Sequence, residues 1–192
     1  MKRFIISLCF QLSVVVAFGQ SKLIYQDQDA KTGLRYLATS DVIVRNGMTD
    51  RHPLKVSLFA METSQGWLYS LDVKVPELIS RAIPKGNILL LRTKSGEVFE
   101  FENILSETQS KDWVGKWIEG TASKTYDNKA SYRVTREQLE ALSSGVVKVR
   151  MQLSGEVFDT EYKKDRLGSV IKAHLASIDS GISTGSNLRS DF

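Results

Sequence analysis

Alternation of apolar and polar residues at period two, repeated through the middle of the chain, restricts the fold more than any other feature. Leu54, Val56, Leu58 and Ala60 alternate with Lys55, Ser57, Phe59 and Met61. Trp67, Tyr69, Leu71, Val73 and Val75 alternate with Leu68, Ser70, Asp72 and Lys74. Successive side chains of a strand point to opposite faces, so each run reads as a strand with one buried face. The polar residues 62–66 between them read as a hairpin loop. Residues 88–91 are apolar without alternation and are expected to form a central strand covered on both sides. Lys94-Ser95-Gly96 then turns the chain into residues 98–104, which carry Phe99 and Phe101 on one face and Glu100 and Glu102 on the other. Residues 147–153 and 157–162 form a third hairpin about Ser154-Gly155. Residues 34–44 supply one or two further strands, and residues 113–126 another pair turning near Gly120.

Two helices interrupt this pattern. Thr135-Arg136-Glu137-Gln138 matches a capping box, with Leu139 and Leu142 sharing a face behind it and Gly145 suited to the stop. Leu167, Val170, Ile171, His174, Leu175 and Ile178 form the single stripe of a longer amphipathic helix, which Asp165 is placed to cap. Gly168 weakens that helix by about 1 kcal/mol relative to alanine. Such a helix must lay its stripe on something apolar, an open side or end of the sheets. Residues 179–192 are rich in serine and glycine and are expected to be a disordered tail. About nine strands, hairpin turns and two helices predict a mainly β fold. The expected architecture is an antiparallel two-sheet sandwich with one short crossover helix and a C-terminal amphipathic helix. An up-and-down β-barrel with a terminal helix is the alternative. The Gly-x-Trp signal of lipid-carrying barrels does not occur near Tyr36.

The first nineteen residues read as an address. Lys2 and Arg3 precede a mostly apolar run ending in Ala17-Phe18-Gly19, the pattern of a signal peptide cut before Gln20. Ser7, Gln11 and Ser13 break the run, which is too short to span a bilayer comfortably. Removal of residues 1–19 would leave one domain over 20–178 plus the tail, with no transmembrane span. It would also remove Cys9, the only cysteine. Export without disulfides fits a bacterial periplasm or cell-envelope surface. The formal charge of +4 falls further when Lys2 and Arg3 leave, so nothing electrostatic points to nucleic acid.

The motifs of common chemistries are weak or misplaced. Gly181-Ile182-Ser183-Thr184-Gly185 spells a nucleophile elbow, but that motif needs a strand before it, a helix after it and a later histidine. Asp27-Gln28-Asp29 begins like a calcium loop, yet Lys31 and Ala38 stand where oxygen ligands are required, so a polar turn is expected. The two histidines, His52 and His174, show no metal spacing, and His174 is expected to be a packed, hydrogen-bonded residue of the helix stripe. Glu100 and Glu102 point the same way from one strand and do not face each other across a cleft, as a glycosidase pair would. No catalytic residue, metal ligand or cofactor is assigned.

Trp113 and Trp117 are the candidate ligand-binding residues. On a strand they share a face with Gly115 between them, and two indoles could form a platform for a sugar ring or peptide. The commoner role of such rings in sandwiches is to fill the space between sheets.

Residues 131–139, Ser-Tyr-Arg-Val-Thr-Arg-Glu-Gln-Leu, continue to Gly145-Val146-Val147-Lys148-Val149-Arg150. With the hairpin that starts at Lys85-Gly86 and the closing helix, this half of the chain resembles uncharacterised exported β-sandwich proteins of Gram-negative bacteria. The resemblance implies a sandwich fold and export, and it carries no site residues. The sequence therefore favours an exported, non-catalytic binding or structural module. A glycan and an envelope protein are the partner classes considered. The alternatives are a carbohydrate- or peptide-binding domain using the tryptophans and a hydrolase built from dispersed residues such as Asp50 with His52.

Overall fold

The computed structural model describes residues 21–29, 31–46, 53–77, 83–105, 111–114, 124–153 and 155–190. Seven strands make the larger sheet. They are β1 (Leu23–Gln28), β2 (Arg35–Thr39), β3 (Val42–Val44), β4 (Leu54–Thr63), β5 (Gly66–Glu77), β8 (Lys111–Val114) and β9 (Lys124–Val134). Their order is β1-β2-β4-β5-β9-β8, with β3 also on β4. The smaller sheet has the order β11-β10-β6-β7 and contains β6 (Ile88–Thr93), β7 (Val98–Glu102), β10 (Val146–Leu153) and β11 (Glu156–Glu161). Every pairing is antiparallel. The expected hairpins are present, with Thr63 opposite Gly66, Arg92 opposite Val98 and Leu153 opposite Glu156.

The sheets do not close into a barrel. They meet at an isolated bridge between Asn103 and Tyr132, and the two-sheet sandwich is the architecture found. The β2–β3 segment shows why the sequence left one or two strands open there. Both pieces pair with the same side of β4, and the line breaks after Thr39. At the break the buried Thr39 hydroxyl accepts from Leu58 N at 2.8 Å and reaches Leu58 O at 3.2 Å, standing in for ladder bonds.

The inner face of the large sheet carries Leu37, Val56, Leu58, Leu71, Val73, Ala130 and Tyr132, all buried. The small sheet covers part of it with Leu89, Leu91, Phe101, Val149 and Met151. Helix α2 (Leu167–Ser190) covers the rest beside β1, β2, β3 and β4. Within α2, Leu167, Val170, Ile171, His174, Leu175 and Ile178 are all buried, as their spacing predicts. Helix α1 (Arg136–Ser143) has both halves of the capping box, Gln138 N to Thr135 Oγ1 at 3.2 Å and Thr135 N to Gln138 Oε1 at 2.8 Å.

One expectation fails for a tertiary reason. The helix does not stop at Ile178; it runs to Ser190, through much of the segment expected to be a disordered tail. Packing overrides weak propensity there. A side chain at Gly181 would sit 3.0 Å from Leu23 and 3.2 Å from Leu37, Ile182 packs on the core, and Arg35 donates to Ile182 O at 3.1 Å. Asp179 holds Arg136 of α1 through two hydrogen bonds of 2.5 and 2.9 Å.

Gly168, in turn, is a requirement of the packing. A Cβ there would lie 2.7 Å from Gly145 Cα, 2.8 Å from Leu142 O and 2.8 Å from Asp165 Oδ1. The same Asp165 oxygen caps the helix by accepting from Gly168 N at 2.9 Å. Gly168→Ala is therefore expected to destabilise the protein by about 2 kcal/mol, because overpacking against backbone outweighs the propensity gain. Urea unfolding tests this, and an alanine variant more stable than the parent would refute it.

Candidate binding face

The structure separates most of the residues the sequence singles out. Trp113 lies on β8, at an edge of the large sheet, opposite Thr125 of β9. Trp117, like Asp50 and His52, the turn near Gly120 and residues 1–20, lies outside the described residues. Ser183 is inside α2 and gives its hydroxyl to Asp179 O at 2.9 Å, a helical environment unlike that of a nucleophile elbow. Asp29 Oδ1 accepts from Lys31 N, Thr32 N and Thr32 Oγ1 at 2.7 to 2.9 Å, which makes the expected polar turn after β1.

One nucleophile–base geometry appears that the sequence did not show. Ser21 Oγ is 2.7 Å from Nδ1 of His174, and Ser177 Oγ is 3.2 Å from the same hydroxyl. The Nε2 atom of His174 faces Val56 O at 3.0 Å. A carbonyl only accepts, so Nε2 carries the ring proton and the Ser21 hydroxyl donates to Nδ1. In a catalytic pair a carboxylate would stabilise the imidazolium, whereas here the partner is a neutral peptide oxygen. Burial lowers the pKa of His174 to about 4, too weak a base to activate a hydroxyl near neutrality. The ring is fully enclosed. This arrangement clamps α2 to β4 and to the chain entering β1.

The outer face of the small sheet is the surface most suited to a partner. The sequence predicts a β6 covered on both sides; the structure covers one side fully and the other in part. Leu89 and Leu91 are buried, while Ile88 and Leu90 on the opposite face are only partly shielded. Four apolar residues in a row contain no periodicity from which the open side could be read. Leu90 stands opposite Arg150 on β10 and Glu100 on β7, and Arg150 stands opposite Asp159 on β11. Ile88, Leu90 and Val157, the last 49% exposed, line a shallow groove of about 570 Å³ with Gln152, Arg150 and Asp159. Arg150 is hydrogen bonded to Asp159 and, with help from Lys148, holds its carboxyl below the usual range.

A second depression of about 500 Å³ adjoins this face where the two sheets meet. Phe101 and Asn103 are its buried floor, Ile104 is a half-exposed wall, and Lys85, Glu100, Glu102, Arg133 and Gln138 surround them. Three segments supply these side chains, and Asn103 holds the segments together. Its Nδ2 donates to Ile83 O at 3.1 Å and Pro84 O at 3.0 Å, fixing the turn that presents Lys85. Its Oδ1 accepts from Ser131 N at 3.1 Å, two residues before Arg133, and from Leu105 N at 3.2 Å. Gly86, with φ +81°, makes the turn and donates to Asn103 O at 3.0 Å; Glu102 Oε1 would be 3.4 Å from a Cβ placed there. At the end of the turn, Asn87 Nδ2 donates to Gln152 O, leaving Oδ1 as the buried side-chain polar atom without a partner among the described residues.

The large sheet's outer face is different. Lys55 pairs with Asp127 at 2.7 Å, Lys74 with Asp41 at 2.5 Å and Lys129 with Asp72 at 2.7 Å, so its central charges satisfy one another. No group of side chains suited to a metal ion occurs among the described residues, and no described helix is long and apolar enough to cross a membrane. Set beside protein-family models, curated proteins and solved structures, the chain matches none, so the small sheet's open face and its adjoining corner are the functional leads this fold offers.

Proposed function

We propose that this protein is an exported, non-catalytic binding module that engages its partner through the outer face of the small sheet. The observation that carries this reading is the half-exposed pair Ile88 and Leu90 on the inner strand β6, with the exposed Val157 on the edge strand β11, interspersed with Arg150, Asp159, Glu100 and Glu102. Apolar side chains interspersed with charge gain from being covered, and the charges restrict what can cover them. Export is proposed from the signal-like residues 1–19.

A photoreactive residue placed at Leu90 or Val157, in protein expressed in the cell that makes it, tests the binding reading. Discrete adducts are expected from these positions and not from Leu68, which is 42% exposed on the other sheet. Adducts from neither face, or equally from both, would refute the assignment. N-terminal sequencing of the recovered protein should begin at Gln20, and an intact Met1 would overturn the export reading.

A further inference from the structure

We propose that the corner pocket between the sheets binds a zwitterion of the amino-acid or short-peptide class, its cationic group on Glu100 and Glu102 and its anionic group on Lys85 and Arg133. The proposal rests on the reading of this side of the molecule as a binding face and names the ligand chemistry of one part of it.

Four charges at this corner fail to pair. Lys85, Glu100, Glu102 and Arg133 line one pocket, two of each sign, and none of them makes an ion pair or side-chain hydrogen bond among the described residues. Elsewhere on the surface, neighbouring opposite charges close up, as in Arg35–Glu62 at 3.0 Å, Arg136–Asp179 at 2.5 Å and Lys129–Asp72 at 2.7 Å. Glu100 and Glu102 also sit two apart on one strand face, where like charges repel. Such an arrangement does little for the fold, and a ligand carrying both signs satisfies all of it at once.

The setting favours recognition over loose ion attraction. The carboxylates rise from β7, Arg133 from β9 and Lys85 from the turn before β6, so the two signs come from separate, fixed elements. Asn103 ties those elements together from beneath through its four amide hydrogen bonds. The floor is Phe101, only 3% exposed, which gives the pocket a fixed apolar base. A guanidinium presents a planar fork that matches a carboxylate through two hydrogen bonds. Gln138 spends Oε1 on the α1 capping box, which leaves its amide N–H groups for a ligand acceptor. The volume of about 500 Å³ admits one or two residues of peptide.

Titration of the isotope-labelled full mature chain with the dipeptide lysyl-glutamate, followed by amide NMR, tests the assignment. Saturable shifts are expected at Gly86, Asn103 and Gln138. Putrescine, a cation alone, and acetate, an anion alone, should bind at least tenfold more weakly. Glu102→Gln and Arg133→Gln replace exposed side chains and should each weaken the dipeptide at least tenfold while the remaining amide spectrum stays in place. No saturable shift, equal binding of acetate, or unchanged affinity in both variants would overturn the proposal. Photo-adducts at Leu90 with no dipeptide binding would remove this ligand and leave the wider reading standing, whereas dipeptide binding without adducts would do the reverse.

Discussion

Asn103→Ala is expected to cost about 4 kcal/mol of stability, the largest effect of any single substitution at the candidate face. The carboxamide is 1% exposed and uses its full capacity, donating to two carbonyls and accepting from two amides. Alanine would strand all four backbone groups, and each buried orphan costs roughly 1–3 kcal/mol, less where water can enter the space vacated. Asn103→Asp keeps the size of the side chain but replaces the donating nitrogen by oxygen against Ile83 O and Pro84 O, so it should be at least as damaging. Urea unfolding at neutral pH measures the loss. Hydrogen exchange localises it, with the Ser131 and Leu105 amides exchanging faster in the variant. An Asn103→Ala protein within 1 kcal/mol of the parent would show that the amide network is dispensable.

That residue also illustrates what a single sequence can and cannot disclose. Hairpins and helices follow from short-range rules, so residues 54–75, the Thr135–Gln138 box and the stripe from Leu167 to Ile178 are legible. The arrangement around Asn103 is not, because its partners lie up to 28 residues away and only the finished sandwich brings them together. Lys85 and Arg133 look like ordinary surface charges until β7 and β9 meet at the corner. The packing role of Gly168 is hidden for the same reason. Propensity treats it as a flaw, whereas α1 and α2 meet so closely at Gly145 that no side chain fits. The apolar run of Ile88 and Leu90 reads as a doubly covered strand because composition records hydrophobicity and not which layer arrives to cover it. Trp113 and Trp117 show the limit from the other side. The structure puts Trp113 on an edge strand, while Trp117 and the shared face expected of the pair lie outside the described residues.

Between about pH 6.5 and pH 4 the protein should lose about 3 kcal/mol of stability through His174 alone. An unfolded imidazole titrates near 6.5, while burial between α2 and β4 lowers the folded value to about 4. The unfolded chain therefore binds more protons across this interval, and stability falls as pH falls. The contribution is complete above about pH 6.5 and exhausted below about pH 4. The hydrogen bond to Val56 O and the more distant Asp41 both favour the charged ring, but desolvation outweighs them. Carboxylates held low, such as Asp159, lose their contribution only at more acid pH, so the upper interval belongs to the histidine. Urea unfolding as a function of pH should show this slope, and His174→Gln should flatten it even if that variant is less stable throughout. Should the variant fail to fold, the ring resonances of the parent decide the matter directly. A His174 titration near 6.5 would mean that water reaches the ring and that the Ser21–His174–Val56 clamp is open in solution.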